Sequence, residues 1–318
     1  MAELPLVSIV TPSYNQAQFL EETILSVLNQ NYPQLEYIII DGGSTDGSVE
    51  IIRRYADRLA YWVSEPDKGQ ADAINKGWSR VTGDIVAFLN SDDYYRPGAI
   101  SAVCEVFRQR PEVGIVWGQA EWVTEHGKPL RPTHTFVDSQ QMVERFEGLP
   151  QPATFVRKEV IDKVGKLDPT FHFALDGEFF IRAMANFDSQ ALPQIIACMR
   201  LHGAAKSVAA GLGFAPEVIR IANKIVANPQ AYPKYRVAPD TVLAGAYLVA
   251  ARFLFMGGAY REAFHHLKTA VGLSNHYHRQ ILLREVPRFF ARIMLGKRLY
   301  TRASSYWINH SDLRLKGE

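Results

Sequence analysis

Short apolar runs alternate with amphipathic stretches through the first 120 residues. Leu6 to Val10, Tyr37 to Ile40, Leu59 to Val63, Ile85 to Leu89 and Gly114 to Trp117 read as strands, and the apolar run Ile85 to Leu89 has the pattern of one buried on both faces. Between them, apolar positions fall at helical spacing: Leu20, Ile24, Val27 and Leu28; Val49, Ile52 and Tyr55; Ala73, Ile74 and Trp78; then Ala99 to Gln109. Asn15 with Gln18 three residues on reads as a capping box for the first of these helices. Strand followed by helix, repeated, predicts an α/β fold with a mostly parallel sheet and helices on both faces.

The second half is less regular. Gln119 to Pro152 carries prolines at 129, 132, 150 and 152 and shows no βα pattern. Glu159 to Val164 predicts a short helix stopped near Gly165. Phe179, Phe180 and Ala183 mark another, with Asp176 and Glu178 in its first turn, where acids suit the helix dipole. Gln194 to Leu201 predicts a last strand leading to His202, and 203–213 has the small-residue composition of a mobile lid. After Val237 the pattern turns helical, with a hairpin from Thr241 to Ala270 broken at Gly257-Gly258. This predicts a domain over 1–236 and a helical C-terminal extension over 237–318.

The strand ends carry the candidate chemistry. They run Thr11-Pro12-Ser13-Tyr14-Asn15, Asp41 with GGSTDGS, Ser64-Glu65-Pro66-Asp67-Lys68-Gly69, and Asn90-Ser91-Asp92-Asp93. Ligands of open α/β sheets bind beyond the carboxyl ends of the strands. Adjacent carboxylates there suit a hard divalent cation shared with substrate phosphates, or a simple polar turn. One acidic strand end is usually a turn; four on one edge point to a site.

Composition narrows the classes. The 318 residues allow one large domain or two, and 47% apolar with 21% charged residues excludes global disorder. A net charge of +2 gives no indication of nucleic acid as a partner. Cys104 and Cys198 make no disulfide framework and fit a reducing, cytoplasmic location. The start MAELPLVSIV lacks a basic region before an apolar core, so no signal peptide is expected. The apolar stretch Thr241 to Ala251 is halted by Arg252, short of the ~20 residues of a spanning helix. Seven basic residues between 279 and 302 face one acid, Glu285, which fits a solvated face or an interfacial helix at a lipid surface.

The pieces VSIVTPSYNQ, IIIDGGSTDGS, SEPDKGQADAINKG, GDIVAFLNSDD, ALDGEFFIR and MRLHGAAKS, in this order over Leu6 to Ser207, resemble the inverting family 2 nucleotide-sugar glycosyltransferases of GT-A fold, of the kind that build bacterial polysaccharides. The resemblance implies transfer of a sugar from a nucleoside diphosphate sugar, UDP by default, to a hydroxyl of a glycan or lipid-linked acceptor, with Mn or Mg. It implies that Thr11, Pro12 and Tyr14 wall the nucleotide pocket and that Asp41 accepts from the base N–H. Lys68, Gly69, Gln70 and Asn75 would line the base and sugar side, with Ser91 and Asp92 at the ribose or sugar hydroxyls. Asp93 and His202 would hold the metal, Asp176 would be the general base, and Glu178 and Trp117 would serve the acceptor side. Many relatives carry Glu-Asp where this chain has Leu175-Asp176, which leaves Glu178 as a second candidate for the base. Two other classes compete: a non-catalytic nucleotide-sugar scaffold or sensor, and a nucleotidyltransferase. The second is disfavoured because TPSYNQ has neither glycine nor a basic residue for a triphosphate.

Overall fold

Alternate residues of the central strands are buried in two different cores, which is what a sheet covered on both faces requires. The computed structural model describes residues 4–133, 139–203 and 211–273. Its strands are β1 Val7–Ser13, β2 Leu35–Asp41, β3 Tyr61–Ser64, β4 Ile85–Phe88, β5 Tyr94–Tyr95, β6 Val113–Thr124, β7 Pro129–Pro132, β8 Thr154–Arg157 and β9 Asp188–Leu201. Its helices are α1 Ala17–Leu28, α2 Ser48–Arg54, α3 Gln70–Trp78, α4 Ala99–Gln109, α5 Ser139–Arg145, α6 Lys158–Val164, α7 Leu175–Met184, α8 Gly211–Ala227, α9 Pro239–Met256 and α10 Tyr260–Leu273.

All belong to one sheet in the order β3-β2-β1-β4-β8-β6-β9-β5, with β7 paired to β6. The expected parallel portion is β3-β2-β1-β4. The fifth predicted strand does not extend it directly. The strand β8, just past the irregular stretch and not expected from the sequence, inserts antiparallel between β4 and β6. The Gly114 strand is the start of a strand that runs on to Thr124, and β9 begins at Asp188 rather than Gln194 and pairs parallel with β6.

One face of the sheet presents Val10, Ile38, Ile40, Val86 and Phe88 to α3, α7 and α8, with Ile74, Trp78, Phe179 and Ile221 in the same core. The other presents Ile9, Tyr37, Ile39 and Ala87 to α1, α2 and α4 through Leu20, Ile24, Ile52, Ile100 and Phe107. Fully burying each such side chain is worth roughly 1.5–3 kcal/mol, so this double layer is what holds the strand ends in place.

Two expectations are corrected here. Asn15 and Gln18 form no capping box: Asn15 lies outside α1 and accepts from the Thr45 N–H at 2.9 Å. The N-terminus of α1 is capped from the next strand's loop, Asp46 accepting from Ala17 N at 2.9 Å and Ser48 Oγ from Gln16 N at 3.2 Å. Nor does Arg252 leave the apolar stretch short of a spanning length. α9 continues to Met256 and, by length and composition, is the one helix among the described residues long and apolar enough to cross a membrane. Half of it is buried in the fold, packed on α8, α10 and α5, with Val242 and Ala246 in the main core. A Cβ at Gly245 would run into the Glu144 carbonyl, so the close crossing of α9 over α5 needs glycine there. The α9–α10 hairpin with its break at Gly257-Gly258 is as expected; the basic segment 279–302 lies outside the described residues, as do 204–210 of the expected lid.

Candidate active site

Ser13, Asp41 and Ser64 pair across β1, β2 and β3, so these strands end level, while β4 stops at Phe88 opposite Val10, three residues short of that line on the same edge. Four loops therefore leave one edge together: those at Tyr14, Gly42, Asp67 and Asn90.

The loop after β4 is the most heavily fixed. Gln70 Nε2 donates to Asn90 Oδ1 at 2.7 Å, Asn90 Nδ2 to Gln151 Oε1 at 2.9 Å, and Gln151 Nε2 to the Phe88 carbonyl at 2.7 Å. Thr23 Oγ1 donates to the Ser91 and Asp93 carbonyls at 3.0 and 2.7 Å. Arg200, at the end of β9, donates its backbone N–H to Asp93 Oδ1 at 3.0 Å and its Nε to the Asp92 carbonyl at 3.0 Å. Its guanidinium also reaches the Glu125 carbonyl and Glu22 and lies over the rings of Phe19 and Tyr94.

This network separates the two acids. Asp93 is 6% exposed, and its second oxygen receives Asn90 Nδ2 at 3.3 Å. Burial, and then the Asp92 charge, push its carboxyl well above the usual range, against the bonds from Arg200 and Asn90. Asp92 turns the other way: its Oδ2 lies 2.9 Å from His202 Nε2, and its side chain keeps 19% exposure. His202 is buried, its ring 4.6 Å from that of Phe19. The acid expected beside His202 was Asp93; the structure puts Asp92 there, because Arg200 holds Asp93 inward. A carboxylate oxygen and an imidazole nitrogen converging at this distance fit a divalent cation that keeps sites for phosphate oxygens. No group of three or more His, Cys, Asp or Glu side chains is arranged for a metal among the described residues.

Several expected pocket residues face inward instead. Thr11 is fully buried and hydrogen-bonds Tyr37 Oη at 3.0 Å, Pro12 is buried beside it, and Ser91 is 6% exposed. Asp41 is 0% exposed, and its oxygens accept from Gly43 N, Ser44 N, Ser44 Oγ and Ser64 Oγ at 3.1, 2.9, 2.5 and 2.7 Å. It shapes the glycine loop and has no edge left for a base. Asn75 is spent on Leu167, donating to its carbonyl and accepting its N–H, which ties the segment before α7 to α3. Trp117 is a core residue, 4% exposed, whose Nε1 has no hydrogen-bond partner among the described residues. Tyr14 is 62% exposed, Lys68 is exposed, and Gly69, at φ +109°, starts α3.

α7 carries the remaining candidates. Phe179 packs on Trp78 at 5.0 Å, and Trp78 on Phe88, which seats the helix beside α3. Asp176 is half-buried in its first turn. Glu178 is 200° further round the helix at 100° per residue and 2% exposed. It is held by Arg182 Nη2 and Lys224 Nζ, each at 2.7 Å. Burial opposes the Lys224 charge, but Glu178 and Asp168 hold its pKa above the ordinary lysine value. Glu178 is thus part of an ion cluster and not poised toward an acceptor.

Sequence reasoning missed Glu217 of α8. Its carboxylate accepts the N–H groups of His172, Phe173 and Ala174 at 2.7, 2.9 and 2.8 Å, just ahead of Asp176. An isolated acid on a helix gives no sequence signal for this. Arg200 and Gln151 were missed because the partners that give them their roles, Asp93 and the Phe88 carbonyl, are distant in sequence.

Residues 8–175 match the family described as glycosyl transferase family 2. An uncharacterized glycosyltransferase of Mycobacterium tuberculosis is 33% identical over 190 residues, 58% of this chain and 70% of the relative. S. aureus TarS 1-349 in complex with UDP-GlcNAc superposes with a TM-score of 0.58 at 15% identity, covering 92% of each chain; this chain spans half of the longer TarS chain. The mannosyltransferase PcManGT from Pyrobaculum calidifontis, in complex with GDP-Man and Mn2+, gives 0.59 at 18% identity, covering all of this chain and 89% of that one. At these identities the structural likeness is one of fold, and that fold is GT-A.

Proposed function

Because this chain belongs to glycosyl transferase family 2, we propose that it moves a sugar from a UDP-sugar to a hydroxyl of a glycan or lipid-linked acceptor, with inversion at the anomeric carbon. The observation that carries the reading is the pairing of Asp92 with His202 at the carboxyl edge of the parallel strands. Asp92 and His202 would hold Mn or Mg, whose chemistry when bound is to offset the charge gathering on the departing diphosphate. The protein's own part is positional and basic. The Arg200, Asn90 and Gln151 network fixes the loop that bears Asp92, so no reorganisation is needed as charge develops. Asp176 takes the proton of the attacking hydroxyl, which is general-base catalysis in a single displacement. Gln70 and Gly69, at the start of α3, line the donor side with Tyr14 and Lys68.

The placement is cytoplasmic, in cell-surface polysaccharide synthesis. The basic segment at 279–302 supports peripheral contact with an anionic membrane face, which flotation with anionic vesicles at low salt checks. The deciding experiment is a melting-temperature panel of UDP, GDP, dTDP and their sugars with and without Mn, followed by nucleotide release from the donor that binds. Binding raises the melting temperature by mass action. No shift with any nucleotide overturns the proposal; binding without even slow donor hydrolysis favours a scaffold or sensor.

A further inference from the structure

The geometry points to Asp67 as the residue that reads the donor's base, accepting an imino N–H of the kind uracil, thymine and guanine carry. This rests on the nucleotide-sugar reading above. Asp41, the acid at the end of β2, cannot do so: it is fully buried and its oxygens already take four donors. The next residue, Gly42, has no side chain to offer. The place where its Cβ would stand is 2.6 Å from Asp67 Oδ2 and 3.3 Å from the Tyr14 ring. A carboxylate from the β3–α3 loop thus fills the position that Gly42 leaves open, against an aromatic ring.

The two groups are complementary in kind. Asp67 Oδ1 is fixed by the Gly69 N–H at 2.8 Å. No hydrogen bond from the described residues reaches its Oδ2. Tyr14 is 62% exposed, a flat face at the mouth of the same notch. A ring for stacking beside an open charged acceptor suits an aromatic base whose edge donates an N–H. Cytosine and adenine present a ring-nitrogen lone pair at the corresponding edge position, which a carboxylate repels. The notch therefore selects between bases by sign. A carboxylate that only shaped the loop through Gly69 would not discriminate.

Calorimetry with UDP, dTDP, GDP, CDP and ADP in the presence of Mn tests this on the wild type, Asp67→Asn and Gly42→Ala. Hydrogen bonds to charged groups are strong enough that the wild type should bind UDP, dTDP or GDP about tenfold or more tighter than CDP and ADP. Asp67→Asn keeps the oxygen that Gly69 uses, and its amide can donate to a lone pair. It should close the gap between UDP and CDP with the melting temperature unchanged. Gly42→Ala places a methyl against the carboxylate without removing a polar group and should weaken UDP in the same direction. A gap that persists in Asp67→Asn overturns the assignment. Equal affinity of the wild type for all five nucleotides, or preference for CDP or ADP, also overturns it while leaving a nucleotide site standing. Absence of binding by any of them sinks this inference together with the functional reading beneath it.

Discussion

Arg200 grips the backbone and side chain of the acidic pair at once, its N–H on Asp93 Oδ1 and its Nε on the Asp92 carbonyl, both at 3.0 Å. The end of β9 and the loop after β4 therefore move as one piece, and His202, two residues beyond Arg200, is delivered to Asp92. The same grip decides which acid faces the open edge.

Asp92 and Asp93 should respond differently to the same change. Asp92→Asn removes an anionic ligand from the proposed cation pair, so turnover should fall at least about a hundredfold with weakened Mn dependence. Asp93→Asn keeps an oxygen for Arg200 and removes a charge that burial already disfavours. Turnover should stay within about tenfold of wild type, with an unchanged Mn titration. Metal titrations of activity on both variants check this, and EDTA should abolish transfer in the wild type. A Mn response lost in Asp93→Asn and kept in Asp92→Asn would return the ligand role to Asp93.

Glu178→Gln should be a stability variant. It leaves Arg182 and Lys224 facing a neutral amide in a site where Glu178 is 2% exposed. Breaking a buried pair costs about 3–5 kcal/mol, less here because Lys224 is 40% exposed. A loss of roughly 2–3 kcal/mol is expected in chemical denaturation, with kcat per folded molecule nearly unchanged. Dead but stably folded protein would instead make Glu178 part of the chemistry.

What could be read from the sequence follows from what each signal encodes. The parallel strands stood out because Val10, Ile39 and Val86 are buried in apolar runs that end in turn formers. β9 was read six residues short because its first half, DSQALPQ, is partly exposed and polar. β6 was cut short because Gln119 and Glu121 break the apolar run while keeping the strand's alternation. Nothing local to Asp92-Asp93 says which acid is turned inward, since the partner that decides it is more than 100 residues away. The same holds for Asp41 and Asn75: the acid and the amide were legible as polar residues near the site, but not their saturation by the Gly43-Ser44 loop and by Leu167.

Glu217→Gln should affect catalysis more than binding. An amide can accept with one oxygen only, and its NH2 would face N–H groups of the segment that leads into α7. A shifted first turn displaces Asp176, and misplacement by about 1 Å can cost on the order of a hundredfold. We expect kcat to fall tenfold or more with donor Kd unchanged and a lower melting temperature. An unchanged kcat would mean the triple contact serves the fold alone.

Asp176 supplies the sharpest test of the mechanism. It stands in the first turn of α7, half-buried, on a helix whose opposite side is committed to the Glu178–Arg182–Lys224 cluster. That cluster removes Glu178 as a competitor for the base, since it is sealed and charge-paired. Asp176→Asn keeps the size of the side chain and gives up only the small dipole benefit of a charge in the first turn. It removes the proton acceptor. Fold stability and donor Kd should change little, while kcat falls about a hundredfold or more, within the range general-base catalysis supplies. Turnover and donor calorimetry on Asp176→Asn and Glu178→Gln, side by side, decide between the two acids. Normal turnover in Asp176→Asn with a dead, folded Glu178→Gln would move the base to Glu178. Full activity in both would end the single-displacement mechanism centred on this helix.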